Sequence, residues 1–245
     1  MSSAITHIVR LDSVPSTSSY LATVTDALPH GAVVIAREQT AGRGQRGNSW
    51  EAEPGANLTF SLLLRPEGIR ADKQFGLSEA VALGIASTLQ RHLPDSEVRI
   101  KWPNDIYAGN RKICGILIEN SLLGSEIRRS IAGIGINVNQ TEWRSDAPNP
   151  VSMAQIAGHS FQLDGVLEDT VSAIMHEFSL PAADRHARYM ELLWGRSGLT
   201  YRDSATGDVF RASIHSIAPD GMMTLAPSDG SPLRTYAFKE VAVIL

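Results

Sequence analysis

The chain has 245 residues, 43% hydrophobic and 20% charged, an ordinary globular composition with apolar material for one sizeable core and a small second unit. A net charge of −4 excludes a protein that binds nucleic acid by bulk electrostatics, and no apolar run reaches the length of a membrane span. The single cysteine, Cys114, excludes an internal disulfide, and Met1-Ser-Ser-Ala-Ile-Thr-His7 lacks the basic-then-apolar order of a signal peptide, so a reducing cytoplasm is expected.

Ile5 to Leu11 reads as a first strand and Asp12-Ser-Val-Pro15 as a turn. Ser16-Thr17-Ser18-Ser19 opens a helix running to about Leu28, because hydroxyls cap free N–H groups; a helix N-terminus is also a place for an anion or polar ligand. Pro29-His-Gly31 turns the chain into a strand, Ala32 to Ala36, at whose exit Gln39 and Thr40 are free to face a ligand. In the following stretch Gly42, Gly44 and Gly47 alternate with Arg43, Gln45 and Arg46. Glycine is costly inside a packed element but permits close approach to the main chain, and arginine carries a planar fork suited to phosphate or carboxylate. The pattern predicts a mobile loop that closes over an anion, with a glycine hairpin bearing solvated arginines as the plain alternative.

Gly42-x-Gly44-x-x-Gly47 also spells a dinucleotide fingerprint. That motif requires a helix at its third glycine; here Asn48-Ser-Trp-Glu-Ala-Glu-Pro-Gly55 is turn-rich and leads to a second strand, Asn57 to Leu64. Lys73 to Leu93 is the clearest helix, with Leu77, Val81, Ile85 and Leu89 forming a core-facing stripe. Val98 to Trp102 alternates as a strand and stops at Pro103.

Lys101-Trp-Pro-Asn-Asp105 is either a strand end with a polar turn or a lysine, an amide and a carboxylate gathered at a sheet edge for a nucleotide phosphate and its magnesium ion. Ala108-Gly-Asn110 is a hairpin turn into the strand Lys112 to Glu119, where Gly115 marks a close approach by a ligand or another backbone. Ser130 to Val138 is a further glycine-containing strand, and its Asn137 offers both a donor and an acceptor. Cys114, between Ile113 and Gly115, reads as a small buried hydrophobe. Val151 to Ala157, Gly165 to Phe178 and Pro181 to Trp194 are helical. His176-Glu177 begins like a zinc-protease motif, but Leu180 stands where its second histidine belongs, and no metal-ligand spacing occurs elsewhere. From Gly198 onward short strands alternate with Gly207, Asp220-Gly221 and Asp229-Gly230, the signature of a small β-barrel of about 50 residues.

Taken in order, Ser16-Thr17-Ser18, Gln39 with Gly42-Arg-Gly-Gln-Arg-Gly47 and Trp50, Lys101-Trp-Pro-Asn-Asp105, Lys112 with Gly115, and Gly135-Ile-Asn137 resemble the biotin–protein ligase family (biotin–[acetyl-CoA-carboxylase] ligases) over essentially the whole chain. The resemblance implies an α+β fold: a mixed-sheet catalytic domain related to class II synthetases and lipoate ligases, residues 1–195, and a C-terminal SH3-like β-barrel, residues 196–245. It also implies the short form of the family, without an N-terminal DNA-binding domain, and hence no nucleic-acid partner; the lack of a long apolar run implies no membrane partner.

The implied substrates are biotin and ATP with Mg²⁺, and the implied partner is a biotin carboxyl carrier domain; homodimerisation through the sheet is known in the family, and no residue of this sequence decides between monomer and dimer. Two anions meet in the first step, so positive charge must offset their repulsion. By resemblance, Lys112, Arg43 and Arg46 are the catalytic cations. Ser16, Thr17, Ser18, Gln39, Gly42, Arg43, Gly44, Lys112 and Gly115 match biotin-binding positions. Arg43, Gln45, Arg46, Trp50, Lys101, Asn104, Lys112 and Asn137 match positions near the nucleotide or the adenylate, and Asp105 is a weaker metal candidate. Trp50 either packs against the closed loop or fills core. Gln45 and Asn48 stand where some well-known members carry arginine, which implies weaker retention of the acyl-adenylate or compensation elsewhere. Lipoate or octanoate ligation on the same fold, and a non-catalytic adenylate binder, are the competing readings.

Overall fold

The structure of the protein is a computed structural model and describes residues 5, 7–45, 48–144 and 149–244. Its first strand, β1 (Ile8–Val14), runs parallel to β2 (Val33–Gln39). Between them α1 (Thr17–Val24) makes the crossover and ends in a 3-10 turn, Thr25–Ala27. β3 (Leu58–Leu64) pairs antiparallel with β2 and with β7 (Glu126–Ile136). β6 (Arg111–Leu123), β5 (Asp105–Ala108) and β4 (Val98–Lys101) complete a seven-stranded sheet in the order β1-β2-β3-β7-β6-β5-β4.

Side chains alternate across a strand, and β3 sorts its residues accordingly. Leu58, Phe60, Leu62 and Leu64 join the larger core, while Leu63 joins Leu21, Val34 and Ile131 under α1. β3 is buried along its whole length because both faces of the sheet are covered there. α2 (Phe75–His92) lies on the larger-core side and packs against α4 (Leu163–Ser179) and α5 (Ala182–Leu192). It is buried beyond the expected Leu77-Val81-Ile85-Leu89 stripe, since Ala80, Ala82, Leu83 and Ala86 are buried too. The short α3 (Met153–Ala157) starts with a full capping box between Ser152 and Gln155.

β8 (Leu199–Asp203), β9 (Val209–Ile217), β10 (Met223–Pro227), β11 (Arg234–Tyr236) and β12 (Val241–Val243) form an antiparallel five-stranded sheet in the order β11-β10-β9-β8-β12. Its buried residues Tyr201, Ile214, Met223 and Leu225 are continuous with the larger core.

Three local expectations are corrected. Asp12-Ser-Val14 is strand rather than turn, because its main chain stays paired with Glu38 and Gln39 of β2. Asp105 begins β5 rather than sitting in a turn, since it pairs with Lys101 and Gly115. The strand expected from Ser130 begins at Glu126, because β6 and β7 form one long hairpin around Gly124, whose φ of 62° suits glycine.

Candidate active site

A cavity of about 1140 Å³ opens where α1 stops covering its face of the sheet. Register places Gly115 of β6 opposite Gly135 of β7, and Leu117 opposite Gly133, so three of four neighbouring floor positions have no side chain. The indole of Trp50 lies on the bare pair: a Cβ at Gly115 would come within 2.8 Å of its Cζ3, and one at Gly135 would overlap its Cε2. Trp50 therefore packs on the sheet floor beneath its own loop rather than in the core, and its Nε1 is buried with no hydrogen-bond partner. Gly133 serves the same purpose for Ser18, whose Oγ would stand 2.5 Å from an added Cβ.

One wall is a hydroxyl–amide network. Ser16 caps α1 as expected, its side chain accepting from the Ser19 N–H. Thr17 donates its N–H to Gln39 Oε1 at 2.8 Å and its hydroxyl to the same oxygen at 3.0 Å. The hydroxyls of Thr17 and Ser18 both meet Ser61 Oγ, at 2.8 and 2.9 Å. Residues of α1, β2 and β3 are thus held together with little exposure, and the Gln39 amide nitrogen is left for another partner. Ser61 was not anticipated, although a serine in the apolar run Leu-Thr-Phe-Ser-Leu-Leu-Leu64 signals a buried hydroxyl that needs partners.

Over the floor folds the glycine loop. The Trp50 N–H donates to Gly42 O at 3.0 Å and the Gly44 N–H to Asn48 O at 2.7 Å, with a bridge between Arg43 and Ser49. Gly42 permits this closure, because a Cβ there would stand 2.6 Å from Trp50 O. Gln45 and Asn48 face the cavity. Arg43 does not point at it freely: its two terminal nitrogens donate to the two carboxylate oxygens of Glu119 at 3.1 and 2.7 Å. Arg46 and Gly47 lie outside the described residues.

Two lysines converge from the opposite side. Lys112 Nζ pairs with Asp105 Oδ1 at 2.7 Å and sits 5.7 Å from the centroid of the Trp50 ring. Lys101, opposite Asp105 in the ladder, donates to the Tyr107 hydroxyl at 3.4 Å. Burial holds the Lys101 ammonium below the usual lysine range, with Lys112 pushing the same way and Asp105 partly opposing. Burial also pushes the Tyr107 phenol up to about 12, so it remains a neutral partner. Asn104 spends its amide N–H on Ile116 O at 2.6 Å and fixes the Lys101–Asp105 turn. Asn137 donates to Val151 O at 3.1 Å, while its Oδ1 is buried in the cavity wall with no partner, an acceptor awaiting a ligand donor. Cys114 is fully buried and its thiol is pushed up by desolvation, which leaves it inert.

Asp105 is the expected metal candidate, but its charge is already met by Lys112, and no cluster of three metal-ligating side chains exists among the described residues. The donor set does not make a protein cage for Mg²⁺.

A second loop closes the far side. Glu51 Oε1 accepts from the Arg144 N–H at 2.9 Å, and Gln140 Oε1 accepts from the Glu53 N–H and from Asn57 Nδ2. This brings Trp143 to the cavity, with its Nε1 buried and unpartnered. Phe238, Lys239 and Val241 reach the same cavity from the C-terminal sheet. Glu119, Trp143 and these residues carried no local motif; only the packing of distant segments reveals them.

Residues 11–137 match the model of the biotin/lipoate A/B protein ligase family. The chain is 30% identical over 239 residues to the bifunctional ligase/repressor BirA of Bacillus spizizenii, covering 91% of this chain and 70% of that protein. It is 35% identical over 158 residues to the biotin–[acetyl-CoA-carboxylase] ligase of Paracoccus denitrificans, covering 62% of this chain and 65% of that one. In fold it is similar to the biotin protein ligase from Aquifex aeolicus solved in complex with biotin and ATP, with a TM-score of 0.80 at 21% identity over 98% of this chain and 99% of that one. The chain belongs to the biotin/lipoate A/B protein ligase family.

Proposed function

We infer that the protein is an ATP-dependent biotin–protein ligase that forms biotinyl-5′-AMP and passes biotin to a lysine of a biotin carboxyl carrier domain. One observation carries this reading: a glycine-floored cavity, roofed by the glycine–arginine loop and flanked by Lys112, in a chain of this family.

In the first step a biotin carboxylate oxygen attacks the α-phosphorus of ATP. The new O–P bond forms as the bond to the β-phosphate oxygen breaks, and pyrophosphate leaves with the electron pair. Lys112 and Lys101 stand where two anions must approach, and fixed cations in a desolvated pocket offset the growing negative charge. Asp105 holds the Lys112 ammonium in place. Mg²⁺ would arrive with the nucleotide phosphates rather than in a protein cage.

The Thr17–Gln39–Ser61 network suits the donors and acceptors of a ureido ring, and the indole of Trp50, lying on the glycine floor, offers an apolar surface for an alkyl chain. Asn137 Oδ1 suits an amine on the adenine or another polar edge of the nucleotide. In the second step the carrier amine attacks the acyl carbon, the C–O bond to AMP breaks, and the amine loses a proton to solvent. The covering loops keep water from the mixed anhydride until the carrier arrives.

We place residues 1–195 in the catalytic unit and 196–245 in the barrel. Net charge gives no basis for nucleic-acid or anionic-membrane contact. A cytoplasmic monomer or homodimer fits the buried, unpaired Cys114.

The test is acid-dependent ATP–pyrophosphate exchange with Mg²⁺, run with biotin, lipoate and octanoate. Exchange with biotin, lost by roughly 10²–10³ in Lys112→Ala, is expected. Exchange only with lipoate or octanoate would move the chain to the other branch of the family, and binding of biotin without exchange would make it a non-catalytic binder.

A further inference from the structure

Period-2 alternation puts Gly115, Leu117 and Glu119 of β6 on one face of the sheet, the face that floors the cavity. Four residues of strand separate the first from the last, a span of about 13 Å. The glycine loop touches both ends of that span. At one end the Trp50 indole lies on Gly115; at the other Arg43 grips Glu119 through two parallel hydrogen bonds. Main-chain pairing of Gly42 with Trp50 and of Arg43 with Ser49 makes the two anchors one rigid piece. Leu117 and Gly133 lie between them on the sheet, and Ser18 reaches Gly133 from the side.

We propose that Glu119 is a positioning residue that holds the glycine loop closed through Arg43, and so sets how long the acyl-adenylate stays in the site. This rests on the ligase reading above. The pair has three properties that suit the task. It is bidentate, so it fixes direction as well as distance. Its side chains are 43% and 41% exposed, so it is a weak and screened tie that opens readily for a carrier lysine. It joins residues 76 apart in sequence, so its only structural effect is to dock the loop on the sheet. Gln45 and Asn48, two further side chains of the loop that line the cavity, are neutral. In this arrangement Arg43 is occupied by a carboxylate and works as an anchor, not as a free phosphate cation.

The two roles for Arg43 predict opposite signs for Glu119→Gln. If Arg43 is an anchor, loss of the carboxylate loosens the loop, and preformed biotinyl-5′-AMP escapes about two- to tenfold faster. If Arg43 serves as a cation for the phosphate, loss of the carboxylate frees its charge and slows escape. The experiment forms the adenylate on the full chain from biotin and labelled ATP, removes free substrate, and follows release of labelled adenylate for wild type, Glu119→Gln, Arg43→Gln, the double variant and the swap Arg43→Glu/Glu119→Arg.

The proposal expects faster release in both single variants, no further increase in the double variant, partial recovery in the swap, and salt-dependent release in wild type and the swap but not in the single variants. Steady pyrophosphate exchange at saturating substrate should change less than the release rate. Unchanged or slower release in Glu119→Gln, or additive effects in the double variant, would overturn it. Failure of wild type to form any adenylate would overturn the ligase reading instead, which separates the two.

Discussion

Lys101 and Lys112 flank a single carboxylate, Asp105, so this trio carries a net positive charge before any nucleotide enters. For a buried amine the charged form is the disfavoured one, and Lys101 gives up its proton below the ordinary lysine value of 10.5. The sign follows directly. Above its lowered pKa the ammonium is lost, and with it the attraction for phosphate. The fold does not weaken over that window, because shedding a buried charge relieves desolvation. The alkaline limb of kcat/KM for ATP should therefore fall at a pH below 10.5, before any loss of native signal by circular dichroism. Lys101→Arg should move that limb upward, since guanidinium stays charged. A limb that tracks unfolding, or one that Lys101→Arg leaves in place, would contradict this. At this scale the residue types were legible from sequence, whereas the pairings were not. Which carboxylate meets Lys112, and that Arg43 meets Glu119, depends on register between strands.

At the scale of elements, α2 and α4 pack backbone against backbone. A Cβ added at Gly84 would stand 2.6 Å from the Ile174 Cα and N, so the two helix backbones touch. Alanine in a helix interior is normally favoured over glycine by about 1 kcal/mol. Here the overlap is with main chain, which cannot turn aside, and overpacking of this kind costs about 1–3 kcal/mol. Gly84→Ala should therefore lower the urea midpoint with an unchanged m-value; a raised midpoint would show that the helices separate without cost. The i+4 stripe of α2 was readable from sequence. The burial of its other side was not, because a helix covered by a sheet and two helices has no polar face to mark. The same reason hides the role of Ser61 in β3, covered on both faces.

Across the whole molecule, the C-terminal sheet is tied to the catalytic layer at the same turn that carries the cations. Trp102 Nε1 donates to Gly221 O at 3.1 Å and its ring meets Phe238 edge-on at 6.1 Å, while the Phe75 N–H donates to Pro219 O at 3.1 Å. With a continuous apolar core behind these contacts, the two units should unfold as one, giving equal calorimetric and van't Hoff enthalpies. Trp102→Ala should remove about 2 kcal/mol at this half-buried site and separate a barrel transition from the main one. A wild-type melt already in two steps would show that the core is not shared in effect.

By itself the sequence determined the chemistry available: glycines along two neighbouring strands, a capped helix start, cations near a strand end, and the succession of strands and helices from β1 to β12 and α1 to α5 apart from β5, which reads as turn. These are local properties, set by backbone freedom, capping and periodicity. The tertiary structure alone decided which charges cancel, which indole covers which glycine, and that the loop, the sheet and the barrel share one cavity. Those are outcomes of strand register and packing between residues far apart in sequence. A one-residue shift in register would turn Glu119 to the opposite face and leave Arg43 without its partner, and no local pattern encodes that choice.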